Sequence, residues 1–279
     1  MAAVVIGATA YVFVVLAGGG HDEALLLIAI TALMASGAHL SIGLTKRPIL
    51  ALSVPLLAGW WLATYATVGP IANLAAAAGL GALAGALLGL SAGGSLARCA
   101  GLSLLLAVVV EGFATGLAGE PVALGVTTFP LIAVLVLAVL GLLVGWWAEA
   151  SLGAALLHRT TAADQGAAAG LRGPRLWAVA TALGGSFAGL AGALLAHSGA
   201  APPGVQLGLV LAVAAFAGGA GLLAGTLTLT AALWLLPEML ARTGWVSLDW
   251  ELLTAALIGA ALLAAWAGGG LQERDTDHG

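Results

Sequence analysis

The property that most constrains this chain is the near absence of charge across long apolar runs. Of its 279 residues, 7% are charged and 62% are hydrophobic, whereas a soluble domain carries about 25% charged residues. So few charges do not cover a water-facing surface. The apolar residues fall in runs close to the roughly 20 residues that a helix needs to cross a bilayer core. Backbone in lipid must satisfy its own hydrogen bonds, which restricts it to helices or closed barrels. Barrel strands alternate apolar and polar residues over about 10 positions, and no such alternation occurs here. The expected fold is all-α, a polytopic integral membrane protein with about 8–10 transmembrane segments. These form a single transmembrane domain over residues 1–271, followed by a short hydrophilic tail at 272–279.

Residues 1–17 are apolar with no Lys or Arg ahead of them. A secretory signal carries a basic region there, so this run is read as a first span. Spans two and three cover 24–44 and 49–67, separated by Lys46-Arg47-Pro48. Trp60, Trp61 and Tyr65 lie towards one end of span three, a common place for interfacial aromatics. Pro70 opens span four, which reaches about residue 94 and carries Gly81, Gly85 and Gly89. Four residues turn a helix by about 400°, so these glycines form one stripe suited to close helix packing. A connection at 95–100 holds Arg98 and Cys99. As the single cysteine, Cys99 forms no intrachain disulfide and reads as a small packing residue. Spans five, six and seven cover 101–117, 129–147 and 176–196, with a polar section at 149–175 between the last two, and a final span covers 252–267.

Residues 206–236 form an apolar run interrupted at Gly218-Gly219-Ala220-Gly221. As one helix it would extend about 46 Å, too long for one crossing and too short for two. Two half-length helices meeting at the glycines fit better. Half-helix ends inside a membrane present free N–H or C=O groups, and transporters use these to meet charged substrate groups. Simple close packing is the other use such glycines have. Lys46, Arg47, Arg98, Arg159, Arg172 and Arg175 fall in alternate connections, after spans two, four and six. The positive-inside rule makes those connections and the N-terminus cytoplasmic, in a multi-pass cell (inner or plasma) membrane protein.

No P-loop occurs, so the chain does not bind ATP through that motif. The histidines and the lone cysteine do not cluster at metal-ligand spacing, and there is no nucleophile elbow. No catalytic, metal or cofactor constellation is visible, so an enzyme is not expected, nor is a nucleic-acid partner. Two ionisable residues lie within predicted spans. Glu111 sits well inside span five, where an ionisable group costs about 2.5–3.5 kcal/mol on insertion scales. It is expected to face the bundle interior or a cavity, as a contact for a substrate amino group, as a gate, or as a hydrogen-bond partner of a neighbouring helix. His39 in span two is read as a packing or capping residue, or as part of the same path. With Glu111 and His39, the glycines Gly218, Gly219 and Gly221 complete the candidate translocation path.

Three segments then suggest a family. They are Phe187-Ala188-Gly189-Leu190-Ala191-Gly192-Ala193-Leu194, Gly218-Gly219-Ala220-Gly221-Leu222-Leu223-Ala224-Gly225 and Leu236-Pro237-Glu238. In order and spacing the chain resembles the permease subunits of ABC importers for branched-chain amino acids, the LivM/LivH type. The first segment looks like that family's Ala-Gly-Leu-Ala-Gly-Ala-Leu, the second like its Gly-Gly-x-Gly-x-x-x-Gly, the third like its Leu-Pro-Glu. Weaker similarity covers residues 101–111 and the pair Gly37 and Gly43. The chain departs from the family in three places. Ile49-Leu50-Ala51-Leu52-Ser53 stands where a Ser-Leu-Gly-His-like stretch is usual. Gly59-Trp60-Trp61 replaces Gly-Ala-Tyr. The cytoplasmic loop reads Arg159-Thr160-Thr161-Ala162-Ala163-Asp164 in place of an Arg-Glu-rich core.

The resemblance implies translocation of branched-chain or related amino acids, urea or short amides, driven by separate ABC ATPase subunits. It implies a second permease subunit, as a homo- or heterodimer, and an extracytoplasmic substrate-binding protein. It makes the section at about 149–175 a coupling loop that docks on an ATPase, with Arg159, Asp164, Gly170, Arg172 and Arg175 as its marked positions. The residues by themselves also allow the arginines to be positive-inside anchors. Two other classes compete with the importer reading: a non-transporting structural membrane subunit, and an ATP-independent channel or secondary transporter. Inverted repeats would support the last, and none is clear in the sequence.

Overall fold

Helix follows helix in the computed structural model, which describes residues 21–47, 49–65, 69–91, 96–117, 131–161, 173–198, 202–218, 222–235 and 237–238. No strand occurs among them. The predicted spans at 1–17 and 252–267 and the tail at 272–279 lie outside the described residues. Helix α1 (His21–Ala38) runs directly into a π turn, His39–Gly43, and a 3₁₀ turn at Leu50–Leu52 leads into α2 (Ser53–Tyr65). Then come α3 (Pro70–Ser91), α4 (Leu96–Leu117), α5 (Leu131–Thr161) and α6 (Gly173–His197). The interrupted run forms α7 (Val205–Ala217) and α8 (Leu223–Thr230), and α8 continues into a second π turn, Ala231–Leu235.

Four of these helical segments are long and apolar enough to cross a membrane: Leu25–Gly43, Pro70–Ser91, Ala133–Gly153 and Arg175–His197. Four shorter apolar segments accompany them, Leu50–Tyr65, Cys99–Phe113, Val205–Ala217 and Leu223–Leu235. Several hydroxyl side chains within the helices turn back onto their own backbones. Thr31 Oγ1 donates to the Leu27 carbonyl at 2.7 Å, Ser36 Oγ to that of Ala32 at 2.8 Å, and Thr181 Oγ1 to that of Trp177 at 2.7 Å. This i−4 bonding lets a polar residue sit in an apolar helix without an outside partner. Pro70 opens α3 at the first helical position, where its missing N–H costs nothing.

Several boundaries differ from the sequence expectation, among them the start of α6 at Gly173, which puts Arg175 on a helix and not in the expected loop. Helix α4 begins at Leu96, so Arg98 and Cys99 ride on its first turns and not in a connection. Helix α5 does not stop near Trp147 but continues to Thr161, taking the first part of the expected loop at 149–175 with it. The reason is local. Ala154, Ala155, Leu156 and Leu157 are strong helix formers, and a polar surface is no obstacle to a helix.

Helix α6 is the packing centre, and glycine makes it so. The stripe Gly81, Gly85 and Gly89 of α3 lies on α6: a Cβ at Gly81 would fall on the Gly185 carbonyl, one at Gly85 on the Thr181 carbonyl and one at Gly89 on the Thr181 hydroxyl. Helix α2 approaches just as closely, with Gly59 against the Gly189 carbonyl and Gly192 against that of Leu56. On α1, a Cβ at Gly37 would be 2.8 Å from the Gly184 carbonyl oxygen. The segment Phe187–Leu194 therefore owes its glycines to backbone contact with two other helices. The outer side of α3 stays open, with Ile71, Leu80, Leu83, Leu87 and Leu90 exposed.

The contacts also give directions. Gly141 meets Leu33 and Gly153 meets Leu44, so α1 and α5 run parallel. Gly37 meets Ala188 while Ser41 meets Gly184, so α6 runs against α1; Ala77 meets Gly189 while Gly89 meets Trp177, so α6 runs against α3 as well. The ends of α1, α3 and α5 and the start of α6 thus share one end of the bundle, where Lys46, Arg47 and Arg175 lie, and α5 carries Arg159 beyond it. The Arg47 guanidinium stacks over the Trp177 ring, 4.5 Å from its centroid, and ties the end of α1 to the start of α6.

Gly79 provides an internal control for this packing, since nothing lies within 4 Å of a Cβ built there. In thermal unfolding of the detergent-solubilised protein, Gly85→Ala is expected to destabilise by about 1–3 kcal/mol through overpacking. Gly79→Ala, on the same helix, is expected to be neutral or to stabilise by about 0.5–1 kcal/mol.

Candidate functional site

The interrupted run is where two helix starts meet carboxylates carried by other helices. Helix α7 ends at Ala217, with Gly218 still in right-handed helical geometry, and α8 starts at Leu223 after an extended Leu222. The break falls at the expected glycines. The two arms pack on one another, and the π turn after α8 also touches α7, so they lie side by side and not end to end. Gly218 and Gly225 set this approach: a Cβ at Gly225 would fall on the Gly218 carbonyl oxygen. These are the outer glycines of the Gly-Gly-x-Gly-x-x-x-Gly segment.

Each arm starts without a cap of its own. Neither Gly204 before α7 nor Leu222 before α8 supplies a side-chain hydrogen bond. A helix start leaves four backbone N–H groups without intrahelical partners and carries partial positive charge that favours an anion. Two carboxylates from other helices answer this. Glu111, on α4, accepts a hydrogen bond through Oε2 from the Val205 N–H at 2.8 Å. Glu149, on α5, accepts one through Oε2 from the Leu223 N–H at 3.1 Å. Gly204 is needed for the first of these, because a Cβ there would sit 2.9 Å from Glu111 Oε1.

His39 lies beside the second cap. Its side chain is fully buried, and Nε2 is 3.7 Å from Glu149 Oε2, while the Glu149 side chain keeps 28% of its surface exposed. Among the described residues, neither ring nitrogen of His39 has a hydrogen-bond partner. The π turn widens the backbone here, with the Leu44 N–H reaching back to the His39 carbonyl at 2.8 Å. Such π turns in α-helices are frequent at functional sites. Gly43 leaves room for the ring, as a Cβ there would be 3.1 Å from Nδ1.

Of the residues singled out by sequence, the structure places Glu111 on α4, capping the start of α7, and Gly218 at the end of α7, packed on α8. It places His39 on the π turn beside Glu149. Arg175 is exposed in the first turns of α6, and Arg159 is on the last turn of α5. Asp164, Gly170, Arg172, Gly219 and Gly221 lie outside the described residues. Sequence reasoning missed Glu149, which it took for the first residue of a polar loop. The available signal was the absence of any helix breaker from Trp146 to Leu152. Among the described residues, no group of three or more His, Cys, Asp or Glu could hold a metal ion. No family model, curated protein or solved structure matches this chain.

The caps predict a contrast between two substitutions. Glu111→Leu leaves the Val205 N–H without this acceptor and is expected to destabilise by about 1–3 kcal/mol. Glu111→Gln keeps an oxygen in place and is expected to cost less than about 1 kcal/mol. Thermal unfolding of the two variants in the same detergent checks the order.

Proposed function

We propose that this chain is a transmembrane permease subunit of an ABC importer, moving branched-chain or related amino acids across the cell membrane. Separate ATPase subunits would drive it, a second permease subunit would complete the pore, and an extracytoplasmic binding protein would deliver substrate. The observation that carries this reading is where the family-like segments fall. Phe187–Leu194 and Gly218–Gly225 hold glycines at the closest backbone contacts of the bundle and of the interrupted run. At Gly189, Gly192, Gly218 and Gly225 the glycine therefore answers a packing requirement.

The capped arm starts suit a zwitterionic solute. A half-helix start donates N–H groups to a carboxylate, and the glutamate it displaces is then free to pair with an ammonium. The basic end of the bundle, with Arg159 and Arg175, is the end at which an ATPase would dock, and the positive-inside rule makes it cytoplasmic. In this reading the part of α5 beyond Gly153 carries the first half of the coupling element as a rigid extension of a span, and motion of the ATPase is transmitted along α5 to Glu149.

The test is co-purification followed by uptake. The chain is expressed with its candidate ATPase, solubilised in mild detergent and recovered on a tag. Wild type is expected to retain the ATPase, and the combined change of Arg159, Arg172 and Arg175 to Ala is expected to lose most of it. Vesicles holding the complete complex should accumulate radiolabelled leucine only with ATP and binding protein. Uptake that proceeds without the ATPase would favour a channel or secondary transporter, and stable assembly with no uptake of any amino acid would favour a structural subunit.

A further inference from the structure

We propose that His39 and Glu149 form a binding site for one proton, and that this proton holds the second arm of the interrupted run in place. The proposal goes beyond the importer reading and does not depend on it. Three observations converge. His39 is fully buried, and neither ring nitrogen has a hydrogen-bond partner among the described residues. Its Nε2 faces Glu149 Oε2 at 3.7 Å, inside ion-pair range and just beyond hydrogen-bond length. The same Oε2 accepts from the Leu223 N–H and so caps α8.

A carboxylate oxygen accepts more than one hydrogen bond, so Oε2 can serve His39 and Leu223 together. With one proton on the pair, imidazolium and carboxylate are net neutral, and the imidazolium adds a charge-assisted hydrogen bond that points the carboxylate at the start of α8. Without that proton the pair carries a net negative charge with no cation beside it among the described side chains, which a low-dielectric surrounding disfavours. The partly exposed carboxylate then turns towards water, the Leu223 N–H loses its acceptor, and the arm loosens at Gly218. Raising the pH releases α8 and lowering it holds α8.

The other elements packed on the π turn bring no competing charge to His39 among the described side chains. Helices α7 and α8 carry no ionisable residue. Helix α6 carries Arg175, exposed near its start, and His197 at its far end, whose Nδ1 lies 2.7 Å from the Ala193 carbonyl oxygen. Helix α5 contributes Glu149 itself. Beyond the turn, Lys46 is exposed and Arg47 is stacked on Trp177.

The experiment is amide hydrogen exchange by mass spectrometry on the full-length protein in nanodiscs, between about pH 5 and pH 9. Rates are corrected for the intrinsic pH dependence of exchange. In wild type, the peptide containing Leu223 is expected to lose protection by about fivefold or more as pH rises, in a single step. His39→Gln, neutral throughout, should remove the step. Glu149→Gln keeps an acceptor for Leu223 but binds no proton with His39, and should also remove it. A flat corrected profile in wild type, or a step that survives in both variants, overturns the proposal. Wild type also decides the question if the variants do not fold. Exchange of the His39 Cε1 hydrogen reports imidazole protonation directly, and its midpoint must coincide with the Leu223 step; separate midpoints overturn the proposal.

Discussion

A helix start has backbone donors that its own turns leave without partners. This chain starts helices twice within a short span, at Val205 and at Leu223, and neither preceding residue carries a capping side chain. The acceptors come from outside the run, Glu111 on α4 and Glu149 on α5. Much of the arrangement follows from this. Helix α4 must bring its carboxylate to Gly204, and α5 must remain helical past Trp147 to carry Glu149 to Leu223. The interrupted run is thus bound to its neighbours by hydrogen bonds at its two starts, and α7 to α8 by glycine contact at the break.

Between the helices the bundle relies on closeness. In lipid, helices gain little from hiding apolar surface, since lipid tails are as apolar as leucine, and association depends on packing and hydrogen bonds. Helix α6 meets α1, α2 and α3 through glycines that leave no space for a Cβ. The same device closes α7 on α8 through Gly218 and Gly225. Bulk is placed elsewhere, with Ile30, Leu33, Met34, Leu52, Leu56 and Leu211 filling the core and leucines and valines of α3, α4 and α5 left on the outside. An exposed apolar exterior, with glycines at the helix contacts, is consistent with a bilayer around the bundle.

The helical class, the glycine stripe on α3 and the break near Gly218 were legible because each is a local property of the chain. Apolar length, a four-residue repeat and a cluster of helix breakers need no knowledge of partners. The extent of α5 was misread because polarity was taken as a sign of a loop. Ala154, Ala155, Leu156 and Leu157 argue for helix regardless of the polar residues around them. A hydrogen bond to a neighbouring helix was among the readings of Glu111, but its partner was not legible, nor was the place of Glu149 on a helix beside His39. Those contacts depend on the register between helices far apart in sequence, which follows from where Gly141 meets Leu33 and Gly153 meets Leu44. Glycine, read as a sign of tight packing, marked the contacts better than any charged residue marked a site.

The most direct measurement is a disulfide cross-link between α5 and α8 in native membranes. A Cβ at Gly145 would be 3.1 Å from Leu223 Cδ2, so cysteines at these two positions are in reach of one another. In a Cys99→Ser background, Gly145→Cys with Leu223→Cys should cross-link rapidly under mild oxidation. Adding Gly225→Val, which prevents α8 from seating against Gly218, should abolish the cross-link. Failure to cross-link in the first protein, or an undiminished yield in the second, would contradict an interrupted helix whose arms are seated through Gly218 and Gly225.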